Sequence, residues 1–304
     1  MKISRLASRG VANLPDLECD LVSSSTGRPH DLVVVTGPPA SGKTRLCELL
    51  LASLETIGGY QGIVRASDWY VDADRGARVD LELWLDGDGP ASVGRANAVV
   101  RFTRGGALRE VERAVGREVA RYDHDPAHGK REYFPEGRQR AWGARQDGLG
   151  SQEQALLRCS KDPQKYSFVP RFLAQLASDP TRRASFARGL ELLSPTARHV
   201  PTARGQDPTT CFSNRRGSGV PYAELSSSEA DAVIIAATAA LIGLNHSIVV
   251  LDRPELYVPP HRLVAWLDGL LHLGRDNQWF VATSSEELVG AASRSQVISL
   301  GGEA

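Results

Sequence analysis

Nine residues, Thr36-Gly37-Pro38-Pro39-Ala40-Ser41-Gly42-Lys43-Thr44, have the types and spacing to hold a phosphate chain. They fit the pattern G-x-x-x-x-G-K-[ST], and their flanks fit too. Leu32-Val33-Val34-Val35 ahead of them reads as a buried strand. Arg45 to Leu54 behind them reads as a helix, with leucines three and four apart and a Gly58-Gly59 stop. In a strand–loop–helix of this kind the loop amides and the helix N-terminus cradle phosphate oxygens. Lys43 reaches the β- and γ-phosphates, and the Thr44 hydroxyl ligates Mg²⁺. A second oxygen ligand is needed for the metal. Asp252, at the end of Ser247-Ile248-Val249-Val250-Leu251-Asp252, is the candidate. ATP and Mg²⁺ are therefore the expected cofactors.

The elements that must position these groups are visible as periodicities. Met1 to Leu6 alternates as a strand, and Leu17 to Leu21 reads as a second. Gly62 to Ala66 is an expected strand after the first helix. Val79 to Leu85 alternates with period two, and Ala98 to Phe102 is its expected hairpin partner. Leu108, Val111, Val115, Val119 and Tyr122 lie at helical spacing. Asp123 to Gly150 reads as loops around a short Tyr133-Phe134-Pro135 strand end. Ser151 to Cys159 and Phe168 to Leu193 read as helical, and Ser194 to Gly219 as irregular. Ser226-Ser227-Ser228-Glu229 is a capping box that opens an almost wholly apolar helix, Ala230 to Leu244, which must be buried. An amphipathic helix around Leu263 to Leu271 and a buried strand at Trp279 to Thr283 follow, and Gln296 to Leu300 closes the chain.

Composition excludes several classes. Lys and Arg balance Asp and Glu, so net charge is zero over 304 residues. The arginines are concentrated in 101–145 and 181–216; these read as solvated faces, with a nucleic-acid surface as the alternative. Cys19, Cys47, Cys159 and Cys211 are scattered without a C-x-x-C, as expected of reduced thiols in a cytoplasmic protein. The N-terminus has no apolar core of a signal peptide, and Ala232 to Leu244 is too short to span a bilayer. No membrane association is expected. His124 and His128 are four apart, but Pro126 between them breaks a helical metal pair. The acids of Asp68 to Asp74 lack EF-hand spacing.

The order of these motifs resembles an ABC-type ATPase of the RecF/SMC/OLD-like group. An N-terminal M-K-I-x-x-L strand is followed by the phosphate loop (Walker A), antiparallel strands and a helical middle. Then come Leu225-Ser226-Ser227-Ser228-Glu229, a buried helix, Leu251-Asp252-Arg253-Pro254-Glu255, and Ala282-Thr283-Ser284-Ser285. The resemblance covers about 1–60 and 220–290 and places the middle by order alone. It implies an α/β P-loop NTPase head spanning 1–304, with a mixed central sheet, an antiparallel side sheet and a helical insertion. The expected divisions are a Walker A lobe at 1–125, an insertion at 126–215, and a signature and Walker B lobe at 216–304. It further implies that Gly37, Pro38, Pro39, Ala40, Ser41, Gly42, Lys43 and Thr44 bind nucleotide and that Thr44 and Asp252 hold Mg²⁺. Ser226, Ser227, Ser228 and Glu229 would contact the γ-phosphate held by a second head, in a homodimer or heterodimer. Any effector would be a separate protein, in genome maintenance or phage defence.

Three positions depart from that family's pattern. Arg253 stands where the catalytic glutamate follows the Walker B aspartate, Ser228 replaces the signature glycine, and Ser284 stands at the switch histidine. A guanidinium stays protonated and cannot serve as general base. Glu255 is the nearest acid in sequence. Hydrolysis is therefore expected to be slow, and a catalytically impaired regulatory subunit is an alternative reading. So is a P-loop phosphotransferase. A transporter ATPase fits the N-terminal strand and the Pro259-Pro260 run less well. The Tyr133-Phe134-Pro135 … Arg138 stretch also has counterparts in such ATPases, with no role assigned from sequence.

Overall fold

Strand alternation sorts the core onto the two sides of one parallel sheet. In a computed structural model the residues described are 1–58, 78–85, 97–103, 110–139, 151–200, 202, 211–215 and 217–301. The expected strand at 62–66 and the acidic run at 68–74 lie outside them. The parallel sheet is built from β3 (Leu32–Thr36), β6 (Arg131–Phe134), β10 (Ile248–Asp252), β11 (Gln278–Ala282) and β12 (Val297–Ser299), in the order β12-β3-β11-β10-β6. Because successive side chains of a strand point to opposite faces, Leu32, Val34, Val249, Leu251, Trp279 and Val281 enter one core, and Val33, Val35, Val250, Phe280 and Ala282 enter another.

The first core is covered by helices. α4 (Val169–Gln175), α5 (Pro180–Leu193), α6 (Ser227–Ile242) and α7 (Leu263–Leu271) pack there, with α6 buried along almost its whole length. An all-round apolar helix has no face it can turn to water, which is why α6 lies inside. The second core holds α1 (Lys43–Ile57) and an antiparallel sheet in the order β2-β1-β4-β5. Its strands are β1 (Lys2–Arg9), β2 (Leu17–Asp20), β4 (Arg78–Trp84) and β5 (Asn97–Thr103). The mixture of strand directions expected of the central sheet is thus divided between two sheets. Gln278 joins them. Its side-chain amide donates to the Ile3 carbonyl at 2.9 Å and to the His30 carbonyl at 3.0 Å, and its oxygen accepts from the Ile3 amide at 2.6 Å.

Three expectations change. The helix read across 168–193 is broken, because Asp179 caps a new helix by accepting from the Arg182 amide and Pro180 occupies its first turn. The irregular stretch from 194 contains a small antiparallel sheet of β7 (Arg198–His199), β8 (Phe212–Asn214) and β9 (Gly217–Val220). β6 lies within the 126–215 stretch read as an insertion, yet it pairs with β10 in the parallel sheet. The other α-helices among the described residues are α2 (Glu110–Ala120), α3 (Ser151–Leu157) and α8 (Glu286–Ala291). No helix among the described residues is long and apolar enough to cross a membrane.

Several charges of the arginine-rich middle are consumed internally. Lys130, Arg131 and Arg138 are all buried. The Lys130 ammonium donates to the carbonyls of Asp125 (2.5 Å), His128 (2.7 Å) and Gly243 (3.2 Å). Burial pulls its pKa down from the ordinary 10.5 to about 8, against the charges of Asp123 and Asp125. Between those two values the unfolded chain keeps a proton that the folded chain has released, so folding becomes more favourable as pH rises through the window. Urea midpoints at pH 7.5 and 9.5 should show wild type gaining stability relative to Lys130→Met; parallel changes in the two proteins would contradict this.

Candidate functional site

The phosphate loop follows β3 at the carboxyl end of the parallel sheet, where ligands of open α/β sheets bind. Its backbone needs its glycines. Gly37 has φ 148°, and a Cβ there would stand 2.2 Å from the Leu300 carbonyl oxygen. Gly42 has φ 96° and is the left-handed N-cap of α1, with no side chain capping the helix. The first amides of α1 are therefore not taken up by a cap, as an anion site at a helix N-terminus requires. Ala40 is also left-handed, at φ 63°.

Lys43 and Thr44 diverge from the start of the helix. The Lys43 ammonium donates to the carbonyls of Gly37 at 2.7 Å and Pro38 at 2.9 Å, which folds the side chain over its own loop. The Thr44 hydroxyl donates to Asp252 Oδ2 at 2.8 Å, across 208 residues of sequence. Asp252 is fully buried at the end of β10. Burial raises its carboxyl above the ordinary value; the Thr44 hydrogen bond opposes this and the charge of Glu136 adds to it. Asp252 Oδ1 and the Ser41 hydroxyl are buried and make no hydrogen bond. An orphaned carboxylate oxygen beside a threonine hydroxyl is the hard oxygen pair that suits Mg²⁺, which keeps most of its shell as water and phosphate. The residues present fit the metal. Among the described residues there is no group of three His, Cys, Asp or Glu that would form an all-protein cage.

The cleft around the loop has a volume of about 350 Å³ and is walled by Pro39 to Arg45 together with Glu136, Arg253 and Ser284. Ser284 lines the cleft beside the loop. Glu255 is not a wall residue; its carboxylate accepts from the Thr283 hydroxyl at 2.8 Å and the Ser284 amide at 3.0 Å, buttressing the segment that carries Ser284. Glu136 was missed by sequence reasoning. It follows β6 on a loop, and only the pairing of β6 with β10 shows that this loop reaches the cleft.

Arg138 ties this loop to the rest. Its Nη1 donates to the carbonyls of Phe134 (3.2 Å), Pro135 (2.8 Å) and Asp252 (2.7 Å), and its Nε to Asp231 of α6 at 2.7 Å. One buried guanidinium thereby links the apolar helix, the β6 loop and the end of β10. This gives the Tyr133 to Arg138 stretch its role.

Ser226 to Glu229 begin α6 away from the cleft walls. The capping box is present: the Ser226 hydroxyl accepts from the Glu229 amide at 3.3 Å, and Glu229 accepts from the Ser226 amide at 3.0 Å. Glu229 also takes the Thr196 hydroxyl at 3.1 Å, so its charge is occupied internally. Ser226, Ser227 and Ser228 are exposed.

No family model matches the sequence, and no curated protein matches it. Among solved structures, an SMC head bound to the C-terminal winged-helix domain of ScpA aligns with a TM-score of 0.57, over 99% of this chain and 98% of that one, at 12% identity. The fold is that of an SMC head domain. A second such head, carrying an extended coiled coil and bound to the C-terminal domain of ScpA from Pyrococcus furiosus, aligns with a TM-score of 0.55 at 13% identity, over 98% of this chain and 92% of that one. The SMC head domain from Thermotoga maritima aligns at 0.50 and 14% identity, over 98% and 94%. These alignments also run over the middle of the chain, where the motifs were silent.

Proposed function

We propose that this chain is an ATP-binding head, spanning 1–304 as one unit, that pairs with a second copy of itself when Mg·ATP is bound and so switches a separate partner protein. The observation that carries the reading is the 2.8 Å contact from Thr44 to the buried Asp252, set beside the loop that Lys43 folds over. Gly37 to Thr44 would hold the phosphates through loop amides, helix N-terminus and Lys43. Thr44 and Asp252 would hold Mg²⁺, which when bound neutralises charge on the β- and γ-phosphate oxygens. Ser226, Ser227 and Ser228, exposed at the start of α6, would meet the nucleotide of the other copy. Both SMC heads described with ScpA are bound to a separate protein, which favours an effector outside this chain.

Hydrolysis is slow in this reading. Arg253 cannot take a proton from water, and Glu255 is engaged with Thr283 and Ser284. An ATP that is held and not quickly cleaved suits a clamp. Calorimetric titration with ATP in Mg²⁺ tests the binding claim. Saturable binding that weakens when EDTA removes the metal is expected; absence of binding by folded protein would refute it.

A further inference from the structure

Arg253 has a geometry that its replacement of an acid does not explain. It sits at φ 49° and ψ 61°, in the left-handed region, at the end of β10. For a non-glycine residue that conformation costs on the order of 1–2 kcal/mol and persists only where neighbours impose it. The Arg253 amide donates to the Ala282 carbonyl at 2.8 Å, and Pro254 opens the next turn. The backbone is pinned so that the side chain stands in the cleft wall with Lys43, Thr44 and Ser284.

There the guanidinium meets Glu136, with Nη1 3.2 Å from Oε2. Among the described residues lining the cleft, Glu136 is the one carboxylate. Its backbone is held firmly: the Tyr257 hydroxyl donates to the Glu136 carbonyl at 2.7 Å, and the Arg138 guanidinium lies 4.7 Å over the Tyr257 ring. The carboxylate itself is not held in this way. The two side chains are 44% and 52% exposed. An ion pair that exposed is worth little, because water solvates both charges nearly as well apart. A terminal phosphate offers more charge and a face that a guanidinium fork can grip with two hydrogen bonds.

We infer that Arg253 is a ligand for the terminal phosphate of the bound nucleotide, and that Glu136 is the counter-ion it gives up when a triphosphate enters. This rests on the nucleotide-binding reading above. It makes Arg253 the residue that distinguishes a nucleoside triphosphate from a diphosphate, since a diphosphate ends before the γ position. The Glu136–Arg253 pair is then the nucleotide-free form of the wall, and the exchange releases a carboxylate beside the metal ligand Asp252.

Calorimetric titrations of ATPγS and ADP in Mg²⁺ test the exchange. Arg253→Asn is the informative variant, because asparagine tolerates a left-handed backbone and adds no strain. It should weaken ATPγS about tenfold to a hundredfold, the range for losing a charge-assisted hydrogen bond, and change ADP by less than about twofold. Glu136→Gln should shift ATPγS the other way, because the competing anion is gone. Equal effects of Arg253→Asn on both nucleotides would overturn the inference, as would identical ATPγS affinity in wild type and Glu136→Gln. Wild-type protein that binds neither nucleotide would instead refute the nucleotide-binding reading beneath it.

Discussion

Lys43→Ala is expected to weaken Mg·ATP binding by at least about a hundredfold while leaving the fold intact. The Lys43 side chain is buried against its own loop, where two carbonyls accept from the ammonium. Those carbonyls stand in for the phosphate oxygens that the ammonium would take up, so the charge is poised at the right place before nucleotide arrives. Two charge-assisted hydrogen bonds of roughly 1.5–3 kcal/mol each account for a loss of that size, since each 1.4 kcal/mol is about tenfold. Gly37 is half-buried and Pro38 is exposed, so water can replace the lost donor, and the melting temperature should move little. A variant that binds Mg·ATP as wild type does would contradict the assignment of the loop. Calorimetry and a melting curve on one sample separate lost binding from lost folding.

Glu55→Ala should be the more damaging change to stability. Glu55 is buried in the last turns of α1. Its carboxylate accepts from Arg131 Nε at 2.7 Å and from Arg158 at 2.9 and 3.2 Å, and the Cys159 thiol lies 3.4 Å away. Burial, with Arg158 nearby, pushes the Arg131 pKa down, against the pull of Glu55. Removing this carboxylate would take from the buried Arg131 and Arg158 guanidinium groups the anion they share. Breaking a buried ion pair in this way costs about 3–5 kcal/mol. The urea midpoint should fall accordingly. Replacing Glu55, Arg131 and Arg158 together with methionine or leucine should recover most of the loss, because the cost comes from unpaired charge and not from lost packing. A single variant as stable as wild type would show that the cluster is solvated. The cluster matters to the site because it fastens the helix behind the phosphate loop to β6, the strand that delivers Glu136.

What could be read from sequence was local. The phosphate loop, β3 and α1 announce themselves by glycine spacing and leucine periodicity, the β4–β5 hairpin by alternation, and the start of α6 by its capping box. β6 was harder for a physical reason. Arg131-Glu132-Tyr133-Phe134 looks half polar, yet all four residues are buried. Their charges are met by Glu55 and Lys165, which lie far away in sequence. A central strand whose polarity is neutralised from elsewhere carries no periodic signal. Sequence marked only a strand end at Tyr133 to Pro135 among loops, so Glu136 could not be placed in the cleft. The break at Asp179-Pro180 was legible in principle, as an N-cap followed by proline. Apolar spacing on both sides of it favoured one long helix. Glu255 was chosen by nearness in sequence; its carboxylate is taken up by the Thr283 hydroxyl and the Ser284 amide, contacts that sequence spacing does not announce.

Light scattering on size-separated protein, with and without ATPγS and Mg²⁺, tests the central claim most directly. Ser228→Glu is the paired control: Ser228 is exposed, an acid in the first turn suits a helix N-terminus, and the same charge repels a phosphate. Pairing driven by Mg·ATP requires wild type to pass from a 32.8 kDa monomer to about twice that mass only when ATPγS and Mg²⁺ are both present. It also requires Ser228→Glu to bind the nucleotide yet stay monomeric. A wild-type mass unaffected by nucleotide, or pairing that survives Ser228→Glu unchanged, would contradict it.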